Sequence, residues 1–256
     1  MLSAVDGLDP EERLLGRAEV AALEPNLRMP PARALLRPND GSVDPVTVTE
    51  ALVLGARHCG AEVRFGEQIT ELRVEDGSLT GVATSKGFVT SRAVVVAAGV
   101  QAATLCAPLG VHLPVVPSPA VLFRFSAPSG LVRTVLSCPS IEVRESSDGR
   151  LVAARDYTGD ATQQDLQHSG DDTLRRLKAI FTGANDVQLL DVRVGMRPMP
   201  ADGLPIIGPL PQLAGAYVAV MHSAVTLAPA VGRLVATELV QGHESQELSG
   251  VRPDRF

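Results

Sequence analysis

Three segments of this chain combine residue types and spacing that bear on chemistry. The first is GMRPMPADGLPIIG, residues 195–208. Arg197 ends a predicted strand and sits between Gly195 and Pro198 in a stiff turn. A planar guanidinium held this way suits bidentate binding of a carboxylate. A surface arginine paired to a nearby acid such as Asp202 fits the same spacing. Asp202-Gly203 and Pro205 mark an ordered turn. The second segment is VAVMHSAVTLAP, residues 218–229, which reads as strand, short loop and helix. Ser223 or Thr226 would cap that helix, and Pro229 falls within or close to its first turn. Free N–H groups and the positive end of the helix dipole would then face a negative charge above the loop. A loop histidine satisfied by its neighbours is the other reading of His222. The third segment is SRAVVVAAG, residues 91–99. A buried strand ending in Ala98 and Gly99 lets a cofactor approach the backbone closely, although an ordinary core strand before a glycine turn has the same pattern.

The elements that must position these residues follow from periodicity and turn chemistry. Asp44 can cap a helix that starts at Pro45, runs through Val48, Ala51, Leu52 and Gly55 to about Cys59, and stops at Gly60. Thr70, Leu72 and Val74 alternate with charged residues, and Asp76-Gly77 then makes a hairpin turn. A second strand covers 79–84, Lys86-Gly87 turns again, and a third begins at Phe88. The run 93–97 is apolar at every position, which suits a strand buried on both faces of a parallel sheet. Longer strands follow at 120–125, 132–137, 141–145 and 151–155, then a helix at 172–181 and a strand at 187–194, predicting an antiparallel sheet with helices on one face. Residues 217–220 form a strand and 226–240 a helix. The first forty residues look irregular, with the helix-like stretch 17–23 cut off by Pro25, Pro30, Pro31 and Pro38. The fold class expected is therefore α/β (mixed α+β). Two Rossmann-like pieces, 1–110 and 197–256, close one domain around an inserted antiparallel-sheet domain, 111–196.

Composition narrows the function. Of 256 residues, 45% are apolar and 20% charged, with a formal net charge of -6, which argues against nucleic acid or an anionic membrane as partner. No apolar run reaches membrane-spanning length, and the acidic start MLSAVDGLDPEERLLG does not read as a secretory signal. Three cysteines, Cys59, Cys106 and Cys138, are far apart and fit reduced thiols in a cytosol, so a cytoplasmic location is expected. The five histidines show no metal-ligand spacing, so no metal is expected.

Taken in chain order, 91–99, 195–208 and 218–229, the three segments resemble the FAD-dependent oxidase family that includes D-amino-acid oxidase, glycine oxidase and monomeric sarcosine oxidase. Members carry a buried strand ending in a small residue and glycine, then G-x-R-P…D-G-x-P-x-I-G, then G-H-S-G-x-T-L-A-P opening the last helix. Upstream, LEP at 23–25 and GSVDP at 41–45 also look like the family's pre-helix signature. The resemblance spans nearly the whole chain. It implies FAD as cofactor and a small amino acid or amine as substrate. Arg197 matches the arginine that binds the substrate carboxylate. His222, Ser223, Ala224, Val225, Thr226 and Leu227 match the loop around the flavin ring; Ile69, Ala98, Gly99 and Gly208 match other cofactor-side positions. Arg197 and His222 are thus the catalytic candidates. The implied reaction takes hydride from the amine-bearing carbon to flavin N5, leaves an imine that hydrolyses, and returns the electrons to oxygen or another acceptor. If the amine binds neutral, orientation and electrostatics dominate over acid–base catalysis.

The chain departs from the family pattern in two places. Members begin with a strand and G-x-G-x-x-G, whose glycines seat the pyrophosphate on a helix N-terminus; here Gly7 and Gly16 stand alone and no such motif occurs. Without that βαβ unit, VVVAAG would expose apolar edges. The chain is then a piece of a longer enzyme, a subunit whose partner chain supplies the unit, or a non-catalytic relative that binds a carboxylate without holding FAD alone. Second, Ala224 stands where the family has glycine; a positive φ there would cost about 1 kcal/mol. In the strand-rich block, Arg144, Arg155 and Tyr157 are the candidates to shape the substrate pocket.

Overall fold

Turns and caps cut the chain into short elements. The computed structural model describes residues 11–157 and 162–256, so Gly7 lies outside it. In chain order the elements are β1 (Arg13–Gly16), α1 (Arg17–Leu23), β2 (Arg33–Leu36), α2 (Pro45–His58), β3 (Ile69–Glu75), β4 (Ser78–Thr84), β5 (Gly87–Thr90), β6 (Val94–Val96) and α3 (Ala102–Cys106). There follow β7 (Val115–Ser126), β8 (Leu136–Cys138), β9 (Ile141–Glu145), β10 (Leu151–Asp156), α4 (Gln163–Ile180), β11 (Gln188–Pro200), β12 (Ile206–Pro209), β13 (Ala216–Val220) and α5 (Ala224–Gln241). The tail ends in 3-10 turns at Gln246–Val251 and Pro253–Arg255.

Local chemistry explains most boundaries. The Asp44 carboxylate accepts from the Thr47 N–H at 2.8 Å, and Pro45 opens α2 as predicted. Helix α4 starts well before the expected 172, because the Thr162 hydroxyl accepts from the Asp165 N–H at 3.2 Å and caps an earlier turn. Its buried positions include Ser169, Gly170 and Thr173, so the early turns lack an apolar stripe to read. Gly170 is there for space: a Cβ would come within 2.4 Å of the Leu189 side chain on β11. The irregular start contains the antiparallel pair β1–β2, with Leu14 opposite Leu35. Four-residue strands of this kind carry too little alternation to recognise.

The fold divides into two compact units. One takes the described residues up to Ala51 with Pro119–Gly195. Its five-stranded sheet has the order β11-β7-β10-β9-β8, antiparallel along β7-β10-β9-β8. One face, with Phe123, Phe125, Val143 and Leu151, buries against Leu177 of α4 and Phe181. The buried Glu24 carboxylate accepts from the N–H groups of Arg133 and Thr134 and the Thr134 hydroxyl, tying α1 to the segment before β8.

The other unit takes Leu52–Ser118 with Met196–Phe256. It contains the antiparallel sheet β3-β4-β5 and the sheet β12-β13-β6, in which β13 and β6 run parallel. The chain returns to this unit at Met196, and the described residues up to Ala51 pack with Pro119–Gly195. One expectation is corrected: β6 is not buried on both faces. It is an edge strand among the described residues, and Val95 is 37% exposed. No helix among the described residues is long and apolar enough to cross a membrane.

Candidate functional site

The parallel pair β6–β13 brings two of the three segments together. Val94, Val95 and Val96 lie opposite Ala216, Tyr217 and Val218, so both strands end at one carboxyl edge. Ala98-Gly99 leaves β6 there, and His222-Ser223 leaves β13. The crevice beyond such carboxyl ends is where open α/β sheets bind ligands. Gly99 has φ +55, a left-handed turn that glycine adopts without strain, and Ala98 beside it is exposed. A Cβ on Gly99 would touch only the Pro198 ring, at 3.9 Å, which places the residue after Arg197 against this turn.

On the β13 side, α5 begins at Ala224 with Ser223 as its N-cap, so the helix starts two residues before the predicted 226. Ser223 has φ 57, and its hydroxyl makes no cap bond; it lies 2.9 Å from His222 Nδ1 instead. The first-turn N–H groups carry no side-chain cap, and Ser223, Ala224, Val225 and Thr226 are exposed while His222 and Leu227 are half-buried. The expected strain at Ala224 is therefore corrected: residue 224 is the first helical residue, and the left-handed residue is Ser223. Pro229 lies inside α5, past its first turn.

Arg197 is positioned from a third direction. Strand β11 continues through Pro200, so Arg197 lies within it rather than after it. Its Nη2 donates to Ser118 Oγ at 2.9 Å and its Nε to the Ser118 carbonyl at 3.4 Å. Asp202 belongs to another arginine: Arg255 holds it through two N–H donors, at 2.7 and 3.1 Å. That hydrogen bonding, against a smaller opposing effect of burial, keeps the Asp202 carboxyl below its usual range.

Two cofactor candidates stand apart from this edge. Gly208 has φ +155, and a Cβ there would meet Pro253 at 2.8 Å and Arg252 at 3.0 Å. The missing side chain makes room for the tail. Ile69 opens β3 in the other sheet of the unit, opposite Thr84.

Ser118 and the tail residues Arg252 and Arg255 escaped the sequence reading. Ser118 sits in an ordinary strand pattern, and the arginine-rich ending RPDRF is the only hint of the tail's role. Arg252 donates to both oxygens of Glu238 on α5, and the Tyr217 hydroxyl donates to the same carboxylate at 2.6 Å. The Arg252 hydrogen bond, outweighing burial, pulls the Glu238 carboxyl down to about 2. Burial together with the Glu238 charge pushes the Tyr217 phenol well up.

Comparison with known proteins places this geometry. Residues 2–238 match the family model described as DAO, FAD dependent oxidoreductase. The chain belongs to that family. It is 30% identical over 256 residues to the D-amino acid dehydrogenase of Cereibacter sphaeroides, covering 91% of this chain and 57% of that protein. The chain thus spans little more than half the length of the curated relative it matches. Its fold resembles glycine oxidase from Geobacillus kaustophilus, with a TM-score of 0.83, 27% identity, and coverage of 96% of this chain and 67% of that one. L-amino acid deaminase from Proteus vulgaris gives a TM-score of 0.85 at 22% identity, covering 99% of this chain and 66% of the other. The mixed α/β fold with antiparallel sheets is the one these solved structures share.

Proposed function

We propose that this chain forms the flavin-ring side and substrate side of an FAD-dependent enzyme that oxidises a small amino acid or secondary amine. The observation that carries this is the shared carboxyl edge of β6 and β13, where a small-residue turn meets an uncapped helix start. These features fit FAD. Ala98 and Gly99 leave the backbone open to close approach. The N–H groups at Ala224, Val225 and Thr226 offer donors and the positive end of the α5 dipole to a carbonyl that gains negative charge on reduction. His222 and Ser223 fix one another and so set the loop. Bound FAD would supply the acceptor for hydride leaving the amine-bearing carbon, with an imine as product. Arg197, held by Ser118, presents a planar donor set to the substrate carboxylate and so orients that carbon. The relatives named D-amino acid dehydrogenase and glycine oxidase support a small amino acid as substrate.

The test is to saturate the chain with FAD without oxygen and add glycine, sarcosine, D-alanine or D-proline in turn. Bleaching of the flavin absorbance by one of them, and its loss in Arg197→Ala, is the expected result. No bleaching by any amine, with FAD demonstrably bound, overturns the reading.

A further inference from the structure

We propose, on the carboxylate-binding role given to Arg197, that Arg255 is a positioning residue for it: Arg255 pins the turn after β11 and so holds the strand end that carries the guanidinium. Ala201, Asp202, Gly203 and Leu204 in that turn are all exposed. No buried apolar side chain anchors them, so polar ties set where the turn lies. Within it the Gly203 N–H donates to the Pro200 carbonyl at 2.9 Å, and the Leu204 N–H to Asp202 Oδ1 at 3.0 Å. On one side the Ala201 N–H donates to the Pro114 carbonyl, just ahead of β7, at 2.9 Å. On the other side stands Arg255. Its Nε and Nη2 donate to the two Asp202 oxygens, and Nη2 also donates to the Leu204 carbonyl at 3.1 Å.

A latch needs a fixed post and a stiff link. The post is the segment that carries Arg255. Arg252 donates to both Glu238 oxygens and to the Ser245 carbonyl. Pro253 is buried, packed where Gly208 leaves no room for a Cβ. Arg255 Nη1 donates to the Arg252 carbonyl at 2.8 Å, which braces the side chain against its own segment; that side chain is only 20% exposed. The link is Arg197-Pro198-Met199-Pro200. Its two prolines have φ fixed at about −65°, which leaves few soft torsions between the turn and Arg197. A displaced turn therefore carries the guanidinium with it. The same displacement acts through Pro114 on the first residues of β7, where Ser118 Oγ accepts from Arg197 at 2.9 Å. Ligand orientation is sensitive to shifts of about 1 Å, so a loosened turn weakens carboxylate binding without removing any group that touches the ligand.

The test is calorimetric titration of glycine into the full chain and its variants. Arg255→Met and Asp202→Asn should each weaken binding on the order of three- to tenfold. Together they should do no more than the larger single change, since both break one contact. Arg255→Lys keeps the charge without the fork and should recover part of the loss. In the Ser118→Ala background the effect of Arg255→Met should shrink, because both changes loosen the same guanidinium. Leu72→Val removes volume from the core beneath β3 and β4 and supplies a variant of lowered melting temperature whose glycine affinity should stay unaltered. Wild-type affinity in Arg255→Met and Asp202→Asn, or full additivity of Arg255→Met with Ser118→Ala, overturns the positioning role alone. Leu72→Val weakening glycine as much as Arg255→Met, at equal loss of melting temperature, overturns it too, since general destabilisation then suffices. Unaltered glycine binding in Arg197→Ala, or none by the unaltered chain, overturns the carboxylate role of Arg197 itself.

Discussion

Ser223 and Ala224 show how a one-residue shift moves strain. A β-carbon in the left-handed region costs roughly 1 kcal/mol, and here Ser223 bears it, with φ 57. Ser223→Gly should therefore stabilise the fold by up to about 1 kcal/mol, while Ala224→Gly, at a helical position, should destabilise it by a similar or smaller amount. Thermal unfolding of the two variants checks this; a stabilised Ala224→Gly protein would contradict the assignment. Ser118 accepts from Arg197, and the proposed carboxylate-binding role of Arg197 makes that contact testable. Loss of one hydrogen bond to a charged group is worth about 1.5–3 kcal/mol, so Ser118→Ala should weaken carboxylate binding on the order of tenfold or more. Arg197→Lys, which keeps charge but not the planar fork, should also weaken it. Binding curves for both variants, measured with glycine, decide the point.

At the scale of elements, the clamp between α5 and the tail is the clearest stability device. Glu238 lies at about 2 instead of the ordinary 4.5 because Arg252 and Tyr217 donate to its charged form. A depressed carboxylate stabilises the fold above its ordinary range, and that contribution fades as pH falls from about 4.5 to 2. Glu238→Gln should cost on the order of 2–3 kcal/mol at pH 7 and flatten the acid dependence across that window. Urea unfolding at pH 7 and pH 3 measures both; equal acid sensitivity in the two proteins would rule the clamp out as its source. Legibility at this scale followed local signals. Asp44-Pro45 and Asp76-Gly77 mark their elements openly. The early turns of α4 were hidden because Ser169 and Gly170 pack there without apolar side chains. Strand β6 was misjudged because an apolar run does not say whether both faces are covered.

For the molecule as a whole, flavin binding is the property to measure. The family's pyrophosphate grip is G-x-G-x-x-G, and this sequence contains none. On the proposed function, contacts at the β6–β13 edge alone should hold FAD weakly, with a Kd of roughly micromolar or above. Fluorescence titration of FAD checks this, and nanomolar binding by the chain would show that other residues seat the pyrophosphate. The alternation of α/β, strand-rich and α/β blocks was readable from periodicity, and the fold class with it. The packing of the described residues up to Ala51 with the strand-rich unit was not, since it rests on contacts such as Glu24 with Arg133, 109 positions apart.

By itself, the amino-acid sequence determined the three motifs, their order, the helix start at Pro45 and the family they resemble. Those features are local: a cap, a turn or a glycine acts within a few residues of its own position. Only the tertiary structure decided that β6 and β13 lie side by side in parallel. It alone gave Arg197 to Ser118, 79 positions away, and Asp202 to Arg255, 53 positions away. A guanidinium can pair with any acid or carbonyl that packing brings near, so its partner is chosen by strand order and register, which no short stretch of sequence encodes.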